Sequence, residues 1–326
     1  MRRVIIDGVN NFSIKEVEIP KISSDEVLVK MEAASLCNQT DLHIIEGTHP
    51  SAQPFPSVFG HEGAGTIVEV GSSIKNFKVG DRVAVRGQLS GCYSEYSCAI
   101  TNDLSRIPDG VSFEIASITE IAGGSFCIVD QTVRLADSVI IIGQGASGLV
   151  GTQLAKAAGA GLIVVSEISS FKRSLAKEFG ADIVINPLET DVIEFAKEIT
   201  SGSYFDVVLE YVGIPQTVAL LPYLVKKKGV IGLFGACTGE IPKIDLFEFH
   251  CRFAKLLSAG YVHGVPDFHA YAAEPYNRTM ELVKKGILKL DKFITHRFPM
   301  SELDKALGLV RSKDGSLIKA IIDPWN

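Results

Sequence analysis

The sequence predicts an α/β protein in two parts, a β-rich domain and a doubly wound parallel sheet of six strands. Three observations carry this. Up to about residue 120 the apolar residues come in short Val- and Ile-rich runs closed by Gly, Pro or Asp, the mark of strands and tight turns. From about residue 123 onward six short apolar runs follow, most of them separated by stretches with helical periodicity. The first of these runs leads through a glycine-rich turn directly into a helix-like segment.

Along the chain, VIIDG, VLVKMEAASL, GAGTIVEVG and DRVAVRG read as strands of a barrel-like or irregular β domain. HPSAQPFPSVFG has three prolines in twelve residues and reads as an extended loop. SVIIIG, LIVVSE, DIVINP, FDVVLEYVG, GVIGLFG and KLLSAGYV are the six apolar runs. They lack polar alternation, as a sheet covered on both faces requires, and SGLVGTQLAKAAG and SFKRSLAKEFG are among its covering helices. The tail offers two helices, EPYNRTMELVKKG and SELDKALGLVRS, and a last strand, LIKAIID, expected to pack back on the first domain. The expected domains are therefore 1–122 with 268–326, and 123–267.

The chain has 326 residues, 46% of them hydrophobic and 21% charged, so it buries large cores and is not of a disordered type. Its net charge is −6, with Lys and Arg scattered, which argues against nucleic acid as a partner. No apolar run approaches the ~20 residues of a membrane span, and MRRVIIDGVNNF lacks the apolar stretch of a signal peptide. The expectation is a cytoplasmic protein. Six cysteines stand at 37, 92, 98, 127, 237 and 251 with no CxxC pair, so a disulfide framework is not expected. Most read as packing residues, and one that does chemistry would bind metal or act as a nucleophile.

Gly143, Gly145 and Gly148 follow the G-x-G-x-x-G spacing between a strand and a helix, which fits a dinucleotide's diphosphate on a helix N-terminus. Glu167 ends the next apolar run, 19 residues after Gly148, where an acid binds the ribose diol and repels a 2′-phosphate. NAD is thus expected over NADP, with Lys172 and Arg173 close enough in sequence to soften the preference. The plainer alternative is that Glu167 only ends a strand in solvent.

SLCNQTDLH and FGHEGAGTIVEVG place Cys37 and the pair His61–Glu62 ahead of the dinucleotide domain. Catalytic zinc takes three ligands from Cys, His and carboxylates and keeps one position open. Cys37 and His61 supply two, and the third is open between Glu62 and Glu120 of SITEIAGG.

Taken in order, LCNQTDLH, GHEGAGTIVEVG, VGDRVAV, GCYSEY, GQGASG and ITHRFP resemble the zinc-dependent medium-chain dehydrogenases, which include alcohol, sorbitol and threonine dehydrogenases. The resemblance runs over essentially the whole chain and implies a GroES-like catalytic domain joined to a Rossmann domain. It implies a zinc held by Cys37, His61 and Glu120, with Glu62 a ligand or close companion and Asp41 a support for the histidine. It implies that Thr40 and His43 relay the substrate proton by way of the cofactor ribose, imidazole being the side chain that ordinarily exchanges a proton near working pH. By position, His49, Phe55, Phe126 and His263 are pocket candidates, while His250 and His296 read as structural.

Two departures stand out. Asp41 follows Cys37 by four residues where the family commonly has three, so the loop is one residue longer. Between VGDRVAV and GCYSEY only RGQLS intervenes, without the family's four-cysteine lobe, so no structural zinc is expected. The implied activity is reversible NAD-dependent oxidation of a polyol, sugar-derived or secondary alcohol by a homodimer or homotetramer with one catalytic zinc. The alternatives are a zinc-free NADPH quinone or enone reductase of the same superfamily and a non-catalytic nucleotide-binding protein.

Overall fold

A computed structural model describes residues 1–49, 52–87, 91–237, 242–258 and 268–326, with side chains from residue 274 in the last segment. The chain forms two compact units, 1–121 with 262–326, and 122–261.

The first unit opens with strands β1 (Arg2–Gly8), β2 (Asn11–Glu16) and β3 (Glu26–Ser35). Helix α1 (Asn38–Ile45) is followed by β4 (Ser57–Val58), β5 (Glu62–Val70), β6 (Arg82–Arg86), β7 (Tyr96–Ile100) and β8 (Leu104–Arg106). β3 is the hub: it pairs antiparallel with β5 and with β7, and its inward Val27, Val29 and Met31 are fully buried. These side chains alternate along the strand, so one face enters the core that also holds Val4, Ile6, Leu36, Ile45, Phe59 and Ile67. The proline-rich loop contributes β4, which pairs with β1. Helices α2 (Phe113–Ser117) and α3 (Thr119–Thr132) close this part of the chain.

The second unit carries β9 (Ser138–Ile142), α4 (Ala146–Ala157), β10 (Leu162–Ser166), α5 (Ser170–Glu178), β11 (Ile183–Ile185), α6 (Val192–Ile199) and β12 (Phe205–Glu210). The short helices α7 (Pro215–Val218) and α8 (Leu221–Leu224) lead to β13 (Val225–Leu233), α9 (Leu246–Arg252) and β14 (Lys255–Ser258). The six strands are parallel in the order β11-β10-β9-β12-β13-β14. The order reverses at β9, and because parallel crossovers are right-handed, the helices of the two halves cover opposite faces. Val139, Ile140, Ile141, Ile163, Val164, Val165, Val208 and Leu209 are all fully buried, which explains why these runs show no polar alternation.

After α10 (Phe268–Lys284), the strand β15 (Ile294–Pro299), the helix α11 (Leu303–Arg311) and the strand β16 (Lys319–Asp323) return to the first unit. β16 lies antiparallel to β3 with Ile321 opposite Ser35, giving the order β15-β16-β3-β5-β6-β8. Glu114 and Arg297 form a two-bond ion pair, at 2.7 and 2.9 Å, between α2 and β15. Among the described residues no helix is long and apolar enough to cross a membrane.

Candidate metal centre and dinucleotide turn

Cys37 stands immediately before α1, whose inward face is Asp41, Leu42 and Ile45. The four-residue step from Cys37 to Asp41 is one helical turn, so the acid comes back beside the cysteine. The Asp41 amide donates to the Cys37 carbonyl, and the Cys37 amide donates to Asp41 Oδ2 at 2.9 Å.

His61 and Glu62 arrive at the start of β5. One donor atom each from Cys37, His61 and Glu62 lie within 4.8 Å of one another, all three residues buried. Asp41 Oδ1 stands 3.3 Å from His61 Nδ1, and among the described residues neither atom has a hydrogen-bond partner of good geometry. Each is therefore the other's available partner, which leaves His61 Nε2 for a metal.

Glu62 Oε2 accepts from Lys319 Nζ at 2.5 Å and from the Ser35 hydroxyl, while Oε1 has no partner among the described residues. Burial, with Glu62 alongside, pushes the Cys37 thiol up to about 11. Burial opposes a charged His61, but Cys37 and Asp41 outweigh it and raise the imidazole pKa. Burial also opposes the Lys319 ammonium, which Glu62, Cys37 and Glu120 nonetheless raise. A thiol, an imidazole and a carboxylate converge, and one oxygen of that carboxylate has no hydrogen-bond partner among the described residues. That donor set fits zinc.

Glu120 lies in the first turn of α3 and is not in the 4.8 Å group, although its charge reaches Lys319. Thr40 and His43 lie three residues apart on α1, and among the described residues no hydrogen bond joins them. His43 Nδ1 instead lies 3.1 Å from the Thr48 hydroxyl and 3.8 Å from Glu46. Phe55 packs against the core of the first unit, and His263 lies outside the described residues.

Three residues of the centre escaped the sequence reading: Ser35, Tyr93 and Lys319. Lys319 carried a signal, being a charge in the apolar run LIKAIID, where a buried lysine demands a buried acid. The hydroxyl of Tyr93, which donates to Asp41 Oδ2 at 2.6 Å, carried none.

In the second unit Gly143 turns the chain at φ +89°, and a Cβ there would meet Val212 at 2.5 Å. A Cβ on Gly148 would lie 2.0 Å from the Gly143 carbonyl oxygen, so helix and turn are packed backbone to backbone. Gly145, the residue before α4, faces open space with nothing within 4 Å, the cradle a diphosphate needs at a helix N-terminus. Glu167 is 8% exposed, and its carboxylate accepts from the Gln144 amide at 2.6 Å and the Ser169 amide at 2.8 Å. Arg173 donates to the carbonyls of Glu167 and Ile168, which places a guanidinium at the same strand end. The residues present fit a dinucleotide.

A β-rich unit with a buried thiol–imidazole–carboxylate cluster and a parallel α/β unit with an open glycine turn together define a class, the two-domain metal-dependent dehydrogenases. Residues 23–124 match the family described as alcohol dehydrogenase GroES-like domain, and residues 146–274 match zinc-binding dehydrogenase. The L-threonine 3-dehydrogenase of Pyrococcus abyssi is 33% identical over 333 residues, covering 93% of each chain. A zinc-binding dehydrogenase of Sinorhizobium meliloti, solved bound to NADP, is 26% identical with a TM-score of 0.84 and covers 99% of each chain. Galactitol-1-phosphate dehydrogenase of Escherichia coli, at 24% identity, shares the fold with a TM-score of 0.86 over 99% of this chain and 100% of its own. The chain belongs to the zinc-binding dehydrogenases. It is an oxidoreductase of alcohols that depends on zinc and a nicotinamide cofactor.

Proposed function

We propose that the protein oxidises a polyol, a sugar-derived alcohol or another secondary alcohol with NAD, reversibly, using one catalytic zinc and no structural zinc. The observation that carries this is the buried group Cys37, His61 and Glu62, backed by Asp41 and Lys319. The catalytic domain is taken as 1–122 with 268–326 and the NAD domain as 123–267.

Cys37 and His61 hold the metal. Glu120 supplies the third ligand implied by the family resemblance, and Glu62, its Oε2 paired with Lys319, keeps Oε1 without a hydrogen-bond partner among the described residues. A bound zinc would supply Lewis acidity toward the substrate oxygen, and a bound nicotinamide would supply the hydride acceptor. Thr40 accepts the substrate hydroxyl proton, and His43, steadied by Thr48, is the base nearest solvent. Gly143, Gly145 and Gly148 seat the diphosphate, and Glu167 binds the ribose diol and disfavours a 2′-phosphate.

The relatives named threonine dehydrogenase put a β-hydroxy amino acid, itself a secondary alcohol, on the substrate panel. The test is metal analysis of the purified protein together with reduction of NAD and NADP against polyols, secondary alcohols and L-threonine. Stoichiometric zinc and NAD-linked turnover are expected. Absence of zinc would favour the NADPH-dependent quinone or enone reductase, and zinc without turnover after chelation and reloading a non-catalytic protein.

A homodimer or homotetramer in the cytoplasm completes the reading. Among the described residues β14 pairs on one side only, and Phe253 and Leu256 are exposed at that edge, a template for a second copy. Light scattering on the eluting protein distinguishes these states from a monomer.

A further inference from the structure

Tyr93, which has no part in the proposed chemistry, touches both segments that carry the candidate ligands. It is fully buried. Its amide donates to the Phe59 carbonyl at 3.2 Å, and the Cys92 amide donates to the Gly60 carbonyl at 2.9 Å, so the backbone around Tyr93 registers the residues just before His61. Its ring closes over Gly60, where a Cβ would meet ring and backbone at 2.9 Å, and Gly60 has φ +91°. The ring edge packs on Phe59 with centroids 4.9 Å apart.

At the other end, the hydroxyl lies 2.6 Å from Asp41 Oδ2 and 3.1 Å from the Ser35 carbonyl, and its single proton goes to the carboxylate. Asp41 Oδ2 therefore receives two donors, Tyr93 and the Cys37 amide. With Oδ2 fixed, Oδ1 is aimed at His61 Nδ1, 3.3 Å away.

We propose that Tyr93 is a positioning residue of the metal centre: its hydroxyl orients Asp41, which holds His61 as the Nδ1–H tautomer with Nε2 presented to zinc. The hydroxyl and the ring thereby set the 37–41 and 59–62 segments to one geometry. Partners behind a ligand histidine are typically worth ~10–100-fold in metal affinity.

This rests on the reading of Cys37 and His61 as ligands. Wild-type protein that takes up no zinc overturns that reading, whereas the following results bear on Tyr93 alone. Zinc affinity is measured by competition with a chromophoric chelator for wild type, Y93F, D41N and the double variant. Y93F should bind zinc ~10-fold more weakly, and should add less than ~2-fold once Asp41 is already Asn. A Y93F protein within ~2-fold of wild type, or a loss carried undiminished into the D41N background, overturns the proposal.

Where Y93F does not fold, long-range 1H–15N spectra of zinc-loaded wild type decide. A His61 protonated at Nδ1 supports the arrangement, and a bare Nδ1 overturns it.

Discussion

Replacing Lys319 with methionine keeps the length of the side chain and removes the cation that faces Glu62. Lys319 is 2% exposed and Glu62 is fully buried, and Nζ donates to Glu62 Oε2 at 2.5 Å and to the Leu36 carbonyl at 3.0 Å. Losing one partner of a buried pair strands the other charge at a cost of about 3–5 kcal/mol. The orphaned Leu36 carbonyl adds about 1 kcal/mol. The K319M protein, freed of metal, should therefore lose at least ~3 kcal/mol of unfolding free energy in a urea titration. Adding E62Q should restore about half or more, because no buried charge then remains unpaired. Zinc loading should shrink the K319M penalty, since a carboxylate oxygen of Glu62 lies in the same cluster as the Cys37 and His61 donors and a cation there replaces the missing ammonium. A K319M protein within ~1 kcal/mol of wild type, or a double variant less stable than the single, would refute the charge argument.

The glycines of the turn separate packing from binding. G145A should unfold like wild type yet bind NAD more weakly, whereas G148A should lose about 1–3 kcal/mol from the clash with the Gly143 carbonyl, as thermal scans and cofactor titrations will read. Replacing Glu167 with serine removes the charge facing a 2′-phosphate and should move the NAD-to-NADP ratio of kcat/KM toward NADP by about 10–100-fold, or ~1.4–2.8 kcal/mol. An unchanged ratio would disprove the role given to that carboxylate. The Arg297 guanidinium holds the Glu114 carboxyl below its ordinary range. With the folded value below the unfolded ~4.3, the pair stabilises above that pH and fades as pH falls through the folded value. The gap in unfolding free energy between wild type and E114Q should thus be small and flat near neutrality, at most ~1 kcal/mol for a surface pair, and should close as pH falls below the ordinary carboxylate range, read by urea titration at each pH.

The second unit was legible in the sequence because its physics is local. The central apolar runs are strands buried on both faces, and alternation with helices dictates a parallel sheet. The glycines announced a turn whose backbone admits no side chain at Gly148. The metal cluster was legible only in part, because its members are joined by strand pairing rather than by spacing. Cys37 follows β3 and His61 precedes β5, and the antiparallel pairing of these strands, with Ala34 opposite Gly63, is what brings them together. Lys319 enters from the far end of the chain through a different pairing, Ile321 with Ser35, which no local pattern encodes.

The extra residue between Cys37 and Asp41 shows how such a site tolerates change. A loop lengthened by one residue would displace the acid if Asp41 were placed by the chain alone. Instead a helical turn returns it to the cysteine, the Cys37 amide captures Oδ2, and Tyr93 captures the same oxygen from a separate segment. Position is thus set by donors that converge on the carboxylate rather than by the count of residues from the cysteine. Among the described residues, Thr40 and His43 lack such anchors. They ride on the outer part of the same helix, half-exposed, and His43 turns to Thr48 rather than to Thr40. The inner face of α1 is thus fixed by buried bonds at Asp41, while its outer face is half-exposed at Thr40 and His43.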